Sequence, residues 1–178
     1  NDVGMLHQKI LGSVNGWVDL KVGGGIDLAN HEKKIIAEIK NKHNTVTGGK
    51  RVNNYQELDE LIMPKASTYK GYKAYFVEII PSTPKGYEKP FTPSDKKKGI
   101  RCVANSNIIQ IDGKRFYKLV TGIDDALEQV FNAIPKVVRD CRNQISMNGS
   151  DEAVQFFKSA YVPKPPKPRK RTRRQASQ

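Results

Sequence analysis

The sequence predicts an α/β fold, an α+β sandwich with a mixed sheet flanked by helices. Three observations carry this. Residues Ile35 to Lys40 alternate side chains as a strand does, with Ile35, Ala37 and Ile39 on one face and Ile36, Glu38 and Lys40 on the other. Ala74 to Ile80 is an almost continuous apolar run between a turn and Pro81, the mark of a strand buried on both faces. Segments with helical spacing lie on either side of these strands. There is no regular series of strand–helix–strand units, so a doubly wound sheet is not expected.

The elements follow in order. Met5, Leu6, Ile10, Leu11 and Val14 have helical spacing, ended by Asn15-Gly16. Trp17 to Val22 alternates as a first strand, and Gly23-Gly24-Gly25 supplies a turn or a close backbone approach. That glycine run lacks the spacing and the Lys-Ser/Thr of a nucleotide-binding loop. Two strands, around Asp27 and Glu38, follow with a tight turn at His31-Glu32. Asn41 to Arg51 is polar and reads as a loop. Asn53 or Asn54 caps a helix with Tyr55, Leu58, Leu61 and Ile62 inward, ended by Pro64. After the central strand, Ser82 to Arg101 has no periodicity, and a loop of that length is functional or disordered. Ile108 to Tyr117 reads as a hairpin around Asp112-Gly113. Thr121-x-x-Asp124 opens a long helix with Leu127, Val130, Phe131, Ile134, Val137, Val138 and Cys141 inward, bent at Pro135. Ser150-Asp151-Glu152 caps a last short helix.

The 178 residues suit one domain, expected over 1–160, with a basic and flexible tail over 161–178. The net charge is +13; seven of the cations sit in that tail with no acid beside them, and the body is still basic. A polyanion is the natural partner, because each neutralised phosphate releases counterions. No apolar run is long enough for a membrane span. Cys102 and Cys141 have no metal-ligand spacing and are expected as buried free thiols, which fits an intracellular protein.

The chemistry centres on the Asp27 and Glu38 strands. If His31-Glu32 is a two-residue loop, Asn30 pairs with Lys33 and Asp27 with Ile36. Asp27 then shares a face with Glu38 and Lys40, one diagonal step from Glu38, about 7–8 Å at Cα. A divalent metal can bridge carboxylates so placed, and Lys40 is left beside them. An odd loop length would turn Asp27 away. Asp…Glu-x-Lys on one face is the arrangement with which metal-dependent nucleases hydrolyse phosphodiesters. His43-Asn44 has no second histidine at a spacing suited to an HNH site.

Several blocks occur in order: Gly12-x-x-x-Gly16-Trp17, Gly23-Gly24-Gly25-Ile26-Asp27-Leu28, the run from Lys34 to Thr45, Lys70-Gly71-Tyr72, Pro90 to Asp95, and Ile111-Asp112-Gly113-x-x-Phe116-Tyr117. Together they resemble the bacterial type II restriction endonucleases that cut GGNCC or GGWCC sites, from about His7 through the helix after Gly122. The resemblance implies a restriction-endonuclease-like PD-(D/E)xK core, Mg²⁺ dependence, a homodimer on double-stranded DNA, a DNA methyltransferase as functional partner, and a bacterial cytoplasmic setting. It implies Asp27 and Glu38 as metal ligands and Lys40 as the basic catalytic residue. Ile26 stands where the eponymous motif has proline. An acidic ligand on the first helix is missing; Gln8 occupies its place and could hold water or metal through its carbonyl.

Candidate DNA contacts are Lys42, His43 and Asn44 after the catalytic strand, Lys50 and Arg51 beyond it, and Lys96, Lys97, Lys98 and Arg101 in the long loop. Each suits a phosphate contact more readily than base reading. The alternatives are a structure-specific nuclease of the same fold, of resolvase or repair type, and a non-catalytic DNA-binding module.

Overall fold

The computed structural model describes residues 2–20 and 25–142, with side chains for 4–20 and 25–137. Helix α1 (Asp2–Gly12) leads to strands β1 (Val18–Asp19), β2 (Leu28–Asn30) and β3 (Ile35–Lys42), then helix α2 (Gly48–Ile62) and strand β4 (Lys73–Ile80). Short strands β5 (Glu88–Pro90), β6 (Ser94–Asp95) and β7 (Ile100–Arg101) precede β8 (Ile108–Asp112), α3 (Gly113–Thr121) and α4 (Ala126–Arg142). The main sheet has the order β1-β2-β3-β4-β8-β5. Its centre, β3-β4-β8, is parallel, and the pairs on either side are antiparallel. β6 and β7 form a separate ribbon.

Side-chain alternation on β3 and β4 builds two cores. Ile35, Ala37 and Ile39 pack with Tyr75, Val77 and Ile79 against Leu11 of α1, Phe116, Tyr117 and Val120 of α3, and Leu127 and Phe131 of α4. Ile36, Ala74, Phe76 and Ile108 pack on the other face with Phe91 and with Leu58 and Ile62 of α2. The sheet is thus the middle of three layers, as the sequence predicts. Burying each large apolar side chain contributes about 1.5–3 kcal/mol, and all of β4 after Lys73 is buried.

Several expectations are corrected. Asp112-Gly113 is not a hairpin turn. Asp112 is the N-cap of α3 and accepts from the Arg115 N–H at 3.1 Å. A Cβ on Gly113 would lie 2.6 Å from the Ile79 carbonyl oxygen, so glycine is required by close packing on β4. Helix α2 starts at Gly48, capped by Thr47, rather than at Asn53 or Asn54. Thr121 ends α3 rather than opening α4; its hydroxyl donates to the Tyr117 carbonyl, and Gly122 turns the chain at φ +76°. Val137 is exposed rather than inward. The unpatterned stretch after β4 holds three short strands: β5 joins the distant β8, and β6 and β7 form a local hairpin. Cys102 is a half-buried free thiol. Gly23-Gly24, the Ser150 helix and the 161–178 tail lie outside the described residues, as do the side chains of Val138 and Cys141.

The β2–β3 register also differs. Asn30 pairs with Ile35, Ala29 with Ile36 and Leu28 with Ala37. The connecting loop is therefore His31 to Lys34, four residues rather than two. The Asn30 side chain closes it by accepting from the Lys33 N–H at 2.8 Å, and Lys34 takes φ +52°. Because the loop changes by an even number, every side chain keeps its face.

Candidate active site

Three parallel strands end together, and the polar residues gather at their carboxyl ends on the face that α2 covers. Asp27 does not pair with Ile36: it stands one residue before β2, outside the paired register, and its carboxyl meets that of Glu38. Asp27 is locked in place by its backbone and its side chain. Its N–H donates to the Ala37 carbonyl at 2.9 Å, its carbonyl accepts from the Leu20 N–H at 3.0 Å, and Oδ2 accepts from the Ile39 N–H at 2.6 Å. Lys40, one alternation beyond Glu38, returns its ammonium to the Glu38 carboxylate.

Glu38 is buried and Asp27 half-buried, which favours their neutral forms. Burial, and next the charge on Asp27, pushes Glu38 up to about 7, with Lys40 partly offsetting the rise. Asp27 is also raised, first by burial, and its contacts with Ile39, Lys40 and Glu38 hold it back. Two adjacent acids that resist joint ionisation, with Asp27 on the wall of a polar cavity, form a site that a cation would relieve.

The cavity measures about 530 Å³ and is lined by Asp27, Lys40, Gln8 and Asn41, and by Lys50, Asn53, Asn54 and Glu57 of α2. Residues 50, 53, 54 and 57 recur at helical spacing, so one face of α2 forms the far wall while Leu58 and Ile62 hold the other face in the core. Gln8 lies where the sequence places it. Its Nε2 donates to Asp19 Oδ1 at 2.7 Å and to the Asp27 carbonyl at 3.4 Å. Both partners are acceptors, which fixes the amide orientation. No His/Cys/Asp/Glu group of three or more in metal-holding geometry occurs among the described residues. Asp27 and Glu38 suit a hard divalent cation that takes two carboxylates and keeps several waters.

The DNA-contact candidates separate. Lys50 faces the cavity. Lys42 ends β3 and His43 follows it; the His43 N–H donates to the Ile80 carbonyl at 3.0 Å, and its Nδ1 is buried without a hydrogen-bond partner. Asn44 is exposed. Arg51 turns inward. It pairs with the fully buried Glu78 and lies 5.1 Å and 5.3 Å from the ring centres of Phe76 and Phe91. Tyr87 and Gln110 also donate to Glu78. Lys96, Lys97, Lys98 and Arg101 are exposed on the β6–β7 ribbon.

Sequence reading missed Asp19, Glu57 and Glu78. Asp19 and Glu57 raise Asp27 and Glu38 respectively through their charge. Placing the start of α2 at Gly48 would have put Glu57 on the Lys50 face. Glu78 was hidden in an apolar strand.

The model of the Eco47II restriction endonuclease family matches residues 1–142. The chain belongs to this family. It is 48% identical over 167 residues to the type II restriction enzyme Eco47II of Escherichia coli, covering 90% of this chain and 70% of that protein. It is 32% identical over 143 residues to the type II restriction enzyme Sau96I of Staphylococcus aureus, covering 79% of this chain and 53% of that protein. No solved structure gives a significant match. Membership places the chain among the restriction endonucleases, and the layered sheet is consistent with their fold. Among the described residues no helix is long and apolar enough to cross a membrane.

Proposed function

We propose that this chain is a sequence-specific, Mg²⁺-dependent endonuclease that cuts both strands of DNA at a short palindromic GGNCC-like site in a restriction–modification system. One observation carries the reading: the Asp27 and Glu38 carboxyls meet with Lys40 beside them, and Asp27 and Lys40 line a polar cavity. A palindromic site cut on both strands calls for two such centres, hence a homodimer, with a methyltransferase protecting host DNA.

Mg²⁺ held by Asp27 and Glu38 would supply Lewis acidity and a lowered water pKa. The residues do the rest. Burial disfavours the charged form of both carboxyls, and a cation would relieve it. Lys40 sits where its ammonium can orient the attacking water and donate to a non-bridging phosphate oxygen as charge builds there. The Asp27 bond to the Ile39 N–H fixes one carboxylate, so little reorganisation is needed. Gln8 braces the Asp27 backbone and Asp19 together.

Plasmid digestion tests this. Discrete fragments are expected in magnesium buffer and none in EDTA, with run-off sequencing placing every end at one short palindrome. Fragments that end at branched or damaged DNA would point to a structure-specific nuclease. Tight binding without any cut would point to a DNA-binding module.

A further inference from the structure

The β6–β7 ribbon stands apart from the main sheet and carries Lys96, Lys97 and Lys98 at its tip and Arg101 on its second strand. Gly99 turns the tip at φ +67°. None of these four cations makes an ion pair among the described residues, whereas Lys40, Arg51, Arg115 and Lys118 are each matched with a carboxylate. The ribbon's own acid, Asp95, is buried and accepts from the Lys97 N–H at 3.0 Å. The ribbon therefore presents uncompensated positive charge to solvent.

It packs closely against α2. A Cβ on Gly48 would lie 2.9 Å from the Ser94 carbonyl, and one on Gly49 would lie 3.0 Å from Asp95 Oδ2. The ribbon thus seats directly on the backbone that starts α2, and α2 is the helix whose Lys50 face walls the catalytic cavity. Cross-strand partners share a face, so Asp95 and Ile100 point one way, and Ser94 and Arg101 point the other. Asp95 meets α2, which leaves Arg101 on the face away from it.

We propose that the β6–β7 ribbon enters the DNA major groove beside the cleavage cavity, with Lys96, Lys97 and Lys98 on phosphates and Arg101 on guanine edges. A two-stranded ribbon fits that groove, and an arginine fork matches guanine O6 and N7. Lysine is a point charge suited to phosphate. The inference rests on the endonuclease reading for its substrate and names the element that engages it.

Binding to a short fluorescent duplex tests the ribbon. Titrations are run in calcium buffer over a range of salt, with a GGNCC duplex and one carrying a single changed guanine. Replacing the three lysines by glutamine is expected to weaken both duplexes alike. It should also lower the slope of log affinity against log salt by about one for each phosphate that is no longer neutralised. Arg101→Ala is expected to cut discrimination between the duplexes by roughly tenfold or more, with the salt slope changing far less. Wild-type discrimination in Arg101→Ala, or an unchanged slope in the lysine variant, overturns the proposal. All four side chains are exposed, so thermal melts of the variants should match the wild type. A wild type that binds but never cuts in magnesium sinks the endonuclease reading and leaves the ribbon standing. A wild type that cuts at its site, with ribbon variants binding and discriminating normally, sinks the ribbon alone.

Discussion

Glu38→Gln should stabilise the fold above neutral pH while abolishing cleavage. Glu38 moves from an ordinary 4.5 to about 7, chiefly through burial and then through Asp27. A raised carboxyl pKa means the fold resists the charged form. The stability contribution is whole below about pH 4.5 and is lost as pH rises through about 7. At roughly 1.4 kcal/mol per unit, the ionised side chain costs about 3 kcal/mol at pH 8. Glutamine removes that charge, although it also leaves Lys40 without its partner, so a gain of about 1–3 kcal/mol is expected. For a chain of this size that is roughly 3–10 °C in Tm. The assay is thermal or urea unfolding of both proteins in EDTA between pH 4.5 and 8.5. The difference between wild type and variant isolates Glu38 from other titrating groups. It should be small at the acid end and grow in the variant's favour through pH 7. Mg²⁺ held by the folded carboxylate pair would then raise the wild type more than the variant. A variant less stable than wild type at pH 8 and above, or a difference that does not vary with pH, would refute the reasoning.

Other consequences follow from buried polar groups elsewhere. His7 is fully buried, its Nδ1 is 2.7 Å from the Tyr117 hydroxyl, and burial lowers its pKa to about 4. Its contribution is whole above about pH 6.5 and is lost as pH falls toward 4, so His7→Phe should flatten that acid loss in unfolding measurements. Arg51→Ala strands the Glu78 carboxylate in the interior and should cost about 3–5 kcal/mol by urea denaturation. An Arg51→Ala protein as stable as wild type would show that the pair contributes little and return Arg51 to the DNA-contact candidates.

What was legible in the sequence was local. The alternation of Ile35 to Lys40 and the apolar run of β4 set which residues face which core, and both faces occur as read. The faces of β2 survived a wrong loop length because the error was even, and Asp27 still meets Glu38. What failed depended on distant partners. Asp112-Gly113 carries the chemistry of a tight turn, but an aspartate is equally a helix cap, and the approach of Ile79 decides. Gly48 and Gly49 are poor helix formers, kept at the start of α2 because β6 packs against their backbone. Arg51 looked like a free surface cation until the fold brought Glu78, Phe76 and Phe91 around it.

The central claim is that Asp27, Glu38 and Lys40 form the cutting centre, and Lys40→Ala tests it most directly. Binding and cleavage are measured on one duplex, with affinity in calcium buffer and strand scission in magnesium. Lys40 reaches Glu38 at the edge of the cavity and is about a quarter exposed, so its loss should leave the fold and duplex affinity near wild type. The predicted result is wild-type binding with cleavage reduced by several orders of magnitude. Cleavage at the wild-type rate by Lys40→Ala would contradict the account and remove this centre from the reaction.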